Sequence, residues 1–310
     1  MNFRGLIVAV VILAGLGGVL YWSQHRKPPE ETATTPTNAA PMILKVNAAD
    51  VTQIAVKQKQ SDPVTLQKTD ANKWQITDPK PYRTDQETVA SMLSTLSGLS
   101  ADRVVEDKAS DRKQYGLDPA TIELDITGKG TRQLLLGDDT PTGGDVYAAL
   151  AGDPRVFTIS SYSKTSLAKS LNDLRDKSLL TVSPDKVSRV ELLRKGQEIE
   201  FDRIKDGWQI LKPASSPADS SAVNNLVRSL TGATMQLTAS GTSDPALEFA
   251  RATPVATAKL IGNTGVQTLE VRKDKDDYYA KSSIVDGVFK VDSSLGTALD
   301  KKIDDFQKKK

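Results

Sequence analysis

The chain has 310 residues, 38% hydrophobic and 26% charged, with a formal net charge of +2; these proportions are ordinary for folded domains and the length accommodates two cores. With Arg4, Arg26 and Lys27 set aside, 38 basic side chains face 39 acidic ones, so nucleic acid is not an expected partner. No cysteine is present and His25 is the single histidine, which excludes disulfides, thiolate chemistry, a histidine triad and a multi-histidine zinc centre.

Leu6 to Trp22 is a 17-residue run without a charge, about 25 Å long as a helix and near the short end for crossing a bilayer. It passes into Tyr21-Trp22-Ser23-Gln24-His25-Arg26 without a small-x-small cleavage site, so it reads as a retained single-span anchor rather than a cleaved signal. Positive groups flank it on both sides and leave the charge rule balanced. The short leading tail and large remainder argue for export of the bulk. Residues 1–27 are thus the expected anchor and its flanks, and residues 28–42, rich in Pro, Thr and Glu, a flexible stalk.

The first folded unit is expected over 43–176. Val51 to Val56, Val64 to Lys68 and Lys73 to Thr77 alternate with period two and predict a meander, with Ile54, Val56, Leu66, Trp74 and Ile76 as core candidates. Thr84-Asp85-Gln86-Glu87 fits a capping box with Thr84 as N-cap. Val89, Met92, Leu93, Leu96 and Leu99 then form one apolar helical face. A polar connector carries Tyr115-Gly116-Leu117-Asp118-Pro119. Strands follow at 122–126, 132–136, 146–148 and 156–159, and a helix over 161–174.

Two stretches are the candidate interaction surface: Tyr115 in the connector, and Gly137 to Asp145 with Asp138, Asp139 and Asp145, adjoining Tyr147. The acidic positions lack calcium-loop spacing and the glycines lack the lysine of a P-loop, so the second stretch reads as a hairpin connection. No catalytic residue, cofactor or metal ligand is assigned.

The second unit is expected over 177–306, before a lysine-rich tail at 307–310. Leu179 and Leu180 are costly to expose together and mark a docking segment. Trp208-Gln209-Ile210-Leu211-Lys212-Pro213 then repeats Trp74-Gln75-Ile76-Thr77-Asp78-Pro79 at an offset of 134. Asp219, Val223, Leu226, Val227 and Leu230 repeat Asp85, Val89, Met92, Leu93 and Leu96 at the same offset. Tyr279-Ala280 answers Tyr147-Ala148, and Val288 to Val291 answers Val156 to Ile159. Gly232 to Ala250 holds no counterpart of Tyr115-Gly116-Leu117. A unit of about 130 residues is domain-sized rather than a solenoid repeat. The expected class is α+β: tandem duplicated domains, each a mainly antiparallel sheet with a packed helix, preceded by one transmembrane helix.

Trp74-Gln75-Ile76 with Pro79, the 84–99 helix, Tyr115-Gly116-Leu117-Asp118-Pro119, Leu135-Leu136-Gly137, Tyr147-Ala148 and Leu174-Arg175-Asp176-Lys177 together resemble the family named domain of unknown function 4340, over roughly 45–300. The resemblance implies an envelope-facing protein with an N-terminal membrane segment, in some members associated with transport or gliding-related membrane machinery, and supplies no catalytic residues. The leading expectation is therefore a membrane-anchored extracytoplasmic interaction or accessory protein of the bacterial inner membrane, with periplasmic domains, a lipid bilayer contact and a membrane-protein or transporter partner. Two alternatives stand beside it: a carbohydrate or peptide hydrolase using Asp and Glu in an inter-domain cleft, and a small-molecule-binding domain pair.

Overall fold

The computed structural model describes residues 41–308 apart from 60, 238–243 and 264. Two antiparallel sheets account for most of it. The first contains β1 (Gln53–Gln58), β2 (Ser61–Lys68), β3 (Trp74–Asp78), β4 (Tyr82–Arg83), β5 (Arg103–Glu106), β6 (Ile122–Thr127), β7 (Thr131–Asp139), β8 (Asp145–Leu150) and β9 (Val156–Ser160), in the order β4-β3-β2-β1-β6-β7-β8-β9-β5. The second contains β10 (Val187–Arg194), β11 (Gln197–Ile204), β12 (Gly207–Lys212), β13 (Ser216–Pro217), β14 (Thr253–Gly262), β15 (Gly265–Asp274), β16 (Asp277–Ser282) and β17 (Val288–Val291), in the order β13-β12-β11-β10-β14-β15-β16-β17. Strand for strand, the second order is the first without β5.

Alternation decides which face is buried. Along β6, Ile122, Leu124 and Ile126 point into the core while Glu123, Asp125 and Thr127 lie on the other face. Helix α1 (Gln86–Ser97) lays Val89, Met92 and Leu96 onto the first core, and α4 (Ser220–Thr231) lays Val223, Leu226, Val227 and Leu230 onto the second. Trp74 and Trp208 are both buried, one in each cluster. Full burial of such a side chain stabilises by about 1.5–3 kcal/mol.

The N-cap of α1 is Asp85, not Thr84: the Asp85 carboxylate accepts from the amides of Glu87 and Thr88. Asp219 does the same for Ser221 and Ala222 at the head of α4. Thr84 is buried because its hydroxyl oxygen accepts from the Ile76 amide at 2.8 Å, so the sheet takes the group that the capping pattern assigned to the helix. The same helix ends hold the tryptophan strands. The Trp74 amide donates to Gln86 Oε1 at 2.9 Å, and the Trp208 amide to Ser220 Oγ at 3.0 Å.

Each unit closes on a short terminal helix pair. The expected 161–174 helix is two pieces, α2 (Ser161–Leu167) and α3 (Leu171–Leu174), because Ser170 restarts the helix with its own capping box. In the second unit α6 (Ser293–Leu299) is followed by a 3-10 helix, Ile303–Phe306. The carbonyls of Leu174 and Phe306 accept from the amides of Asp85 and Asp219, at 2.9 and 2.7 Å, so the duplication reaches the last turn of each copy.

The expectation of a transmembrane helix is corrected. Among the described residues no helix is long and apolar enough to cross a membrane. The longest, α1 and α4, have 12 residues each, about 18 Å against a hydrocarbon core of about 30 Å. The apolar run at 6–22 and most of the 28–42 stalk lie outside the described residues. The bilayer as a partner, the single-pass inner-membrane placement with periplasmic domains, and the membrane-anchored accessory role with a transporter partner all require such a helix, and as none is found among the described residues they are withdrawn.

Candidate functional site

The connection between the two cores is a strap hydrogen-bonded to both. On leaving α3, Arg175 bridges to Thr84 and the Asp176 amide donates to the Arg83 carbonyl at 2.9 Å. One residue later the strap changes sides. Lys177 accepts from the Met235 amide at 2.8 Å, Ser178 bridges to Thr234, and the Leu179 amide donates to Ala233. Leu179 and Leu180 are buried in the second core, as their apolar character requires. The Arg83 guanidinium donates to the Ser178 carbonyl and lies 3.5 Å from Asp176.

A notch of about 320 Å³ opens beside this strap. The first repeat contributes Lys80, Tyr82, Arg83 and Arg175; the second contributes Met235, Ile284, Val285 and Asp286. Arg175 is partly buried, with its guanidinium carbon 4.1 Å from the Tyr82 ring centroid. Lys80 Nζ lies 5.2 Å from the same centroid. Among the described residues, the one side-chain contact of the Arg175 donors is the sulfur of Met235 at 3.7 Å, and no carboxylate pairs with it. Burial pushes the Arg175 guanidinium below its usual pKa.

The pseudo-equivalent place in the second copy is different. Tyr82 and Arg83 pair with Ile76 and Gln75, and Ser216 and Pro217 pair with Ile210 and Gln209. Arg175 bridges Thr84 as Gln307 bridges Ala218. Tyrosine, arginine and arginine in the first copy thus stand where serine, proline and glutamine stand in the second. Among the described residues the buried Ser216 hydroxyl has no hydrogen-bond partner, so the second copy keeps the backbone arrangement without its polar equipment.

The residues singled out in the sequence lie elsewhere. Tyr115 is buried on the outer face of the first sheet, where its hydroxyl donates to Glu106 Oε1 at 2.8 Å. Its ring lies 4.8 Å from that of Tyr147, and the two join Leu117, Ala149 and Val156 in a small satellite core. The hydrogen bond to Glu106, and then burial, push the Tyr115 phenol up. Asp138 sits against Gly116, which is left-handed at φ 65, and its carboxylate accepts from the Thr121 hydroxyl at 3.4 Å. Asp139 pairs with Lys164 at 2.7 Å. Asp145 lies opposite Ser160, and its carbonyl closes the hairpin by accepting from Thr140. Burial, with the Asp145 charge behind it, pushes the Asp102 carboxyl up. Tyr115, Tyr147 and Asp138 are therefore brought together as packing; Asp139 and Asp145 stay at the hairpin ends, and none lines the notch. Among the described residues no three acidic or histidine side chains are grouped to hold a metal.

The second unit covers the same outer face differently. Helix α5 (Pro245–Arg251), capped by Asp244, sets Phe249 over Arg272 of β15 at 4.5 Å. An aromatic carried in by the connector thus packs there on a local sequence unrelated to that of Tyr115.

Tandem copies of one antiparallel sheet, each covered by helices and joined by a shared strap, define the class of protein. The chain belongs to the family described as Domain of unknown function (DUF4340), whose model matches residues 74–250 and again 208–310. The two matches begin on Trp74 and Trp208, the paired strand anchors of the two sheets. No curated protein and no solved structure is matched.

Proposed function

We propose that the chain is a two-repeat binding module whose ligand seats in the notch at the junction. The observation that carries this reading is the Arg175–Tyr82 stack: a partly buried cation with no carboxylate paired to it among the described residues, on the wall of a cavity to which both copies contribute. A negatively charged acceptor entering the cavity gains a charge-assisted hydrogen bond there.

Binding suits the notch better than hydrolysis. A carboxylate pair for acid–base work must be free and suitably spaced. Asp176 is engaged by Arg83 and by the Ser178 amide at 2.9 Å, which leaves Asp286 without a second free carboxylate among the notch residues.

Photo-crosslinking amino acids at Lys80 or Asp286, with Lys205 on the β11–β12 turn as control, test the reading in cells that make the chain. Adducts with one defined molecule at the two notch positions and none at Lys205 support it. Equal labelling at all three positions, or none, overturns it.

A further inference from the structure

We infer that the junction notch recognises a carboxylate group, received by the fork of Arg175 where it stacks on Tyr82, with Lys80 at the rim. This rests on the notch being the binding site and adds the chemistry of what binds there.

Three features select a carboxylate. Stacking on Tyr82 holds the guanidinium plane, and a planar fork held in one orientation matches two oxygens of a carboxylate side by side. Its donors meet only a thioether sulfur, a weak acceptor, among the described residues, so an entering oxygen displaces nothing stronger. Net charge in the notch is small: Arg83 is already paired with Asp176, and Asp286 stands on the opposite wall. Arg175 and Lys80 supply the positive charge a carboxylate ligand needs, and neither is paired with a carboxylate among the described residues. Met235, Ile284 and Val285 give the attached carbon atoms an apolar wall, and about 320 Å³ holds a small acid or the last residues of a chain.

The chemistry has two sources, a free organic acid and a polypeptide C-terminus, and the same titration separates them. The full chain is titrated with succinate, with acetyl-Gly-Ala-Leu as the free acid, with the same peptide as its amide, and with inorganic phosphate, while backbone amide shifts are followed. The expected result is saturable binding of succinate or the free-acid peptide that shifts Tyr82, Arg83 and Val285, with at least tenfold weaker binding of the amide. Preference for succinate assigns a free acid; preference for the peptide assigns a chain terminus. Arg175→Gln, which installs the residue type of the second copy, abolishes the discrimination between acid and amide. Arg175→Lys keeps the charge, loses the fork and weakens the acid at least fivefold. Far-ultraviolet circular dichroism and melting of both variants separate a binding defect from a folding one. Acid and amide binding equally in the notch, discrimination surviving Arg175→Gln, or phosphate binding more tightly than either carboxylate would overturn the carboxylate assignment and leave the notch as a site. Shifts confined to residues outside the notch would overturn both.

Discussion

Arg175 and Tyr82, 93 residues apart in the chain, stack with 4.1 Å between guanidinium carbon and ring centroid. The contact exists because the strap after α3 runs antiparallel to β4, where Thr84 and Arg175 bridge. A partly desolvated cation–π pair contributes about 0.5–2 kcal/mol. Replacing both residues by Ala, singly and together, should therefore give a coupling energy in that range by urea unfolding. Strict additivity would mean that the stack is only proximity.

The paired caps make a second prediction. Asp85→Ala and Asp219→Ala each remove an acceptor serving two helix amides, and each should cost about 1 kcal/mol in its own repeat. Thr84→Ala should cost about 1–3 kcal/mol, because it strands the buried Ile76 amide. Hydrogen exchange resolved by repeat reads all three; a Thr84 effect smaller than the Asp85 effect would restore the threonine to the helix end.

The tryptophan anchors carry more. Trp208→Ala empties a fully enclosed place in the second core and removes the bond from its indole Nε1 to Asn224 at 2.9 Å. A loss of about 3–5 kcal/mol is expected, confined to amides of residues 179–306. Equal loss of protection in the first repeat would show that the two cores unfold as one.

Gly137→Ala tests the packing account of the Tyr115 connector. A Cβ at Gly137 runs into the Tyr115 carbonyl oxygen, and backbone cannot swing aside as a side chain can. Protection at residues 112–118 and the near-ultraviolet signal of the Tyr115–Tyr147 pair should fall together, while Gly98→Ala, with its nearest neighbour at 3.6 Å, leaves both intact. Retention of the tyrosine signal in Gly137→Ala would mean the connector is held by something other than this approach.

Acid dependence follows from Asp300. Hydrogen bonds from the buried Arg194, and then from Lys195, hold its carboxyl below the usual carboxylate value. A carboxyl lowered on folding stabilises at pH above its unfolded value near 4, and that stabilisation is lost as pH falls through the folded value. The melting temperature of the second repeat should thus drop below about pH 4, and Asp300→Asn should flatten that part of the profile. An unchanged profile in the variant would assign the acid loss to other carboxylates.

The duplication was legible because core residues constrain sequence at fixed spacing: Trp74 with Trp208 and the Val89 and Val223 stripes recur in register. Edge elements were not. β4 and β13 have two residues each, and β5 is tied to β9 by a bulged pairing, too little for a periodic signal. Thr84 and Asp85 are both N-cap residue types, and the demand of the Ile76 amide for the Thr84 hydroxyl decides between them. The notch had no local pattern, since its walls come from β4, the strap and the turn after β16. A signal that could find it is a difference between copies at the fixed offset of 134, where Ser216 and Pro217 replace Tyr82 and Arg83.

If the junction notch binds the ligand, filling it must block binding, and the absence of cysteine from the sequence allows it to be closed at will. Val285→Cys creates a single thiol on the notch wall, and Lys205→Cys one on an exposed turn. After reaction with a bulky maleimide, affinity for succinate and for acetyl-Gly-Ala-Leu is measured by calorimetry against each unreacted variant. At least tenfold loss is expected for the Val285→Cys adduct and no change for the Lys205→Cys adduct. Undiminished binding with the notch filled would contradict it.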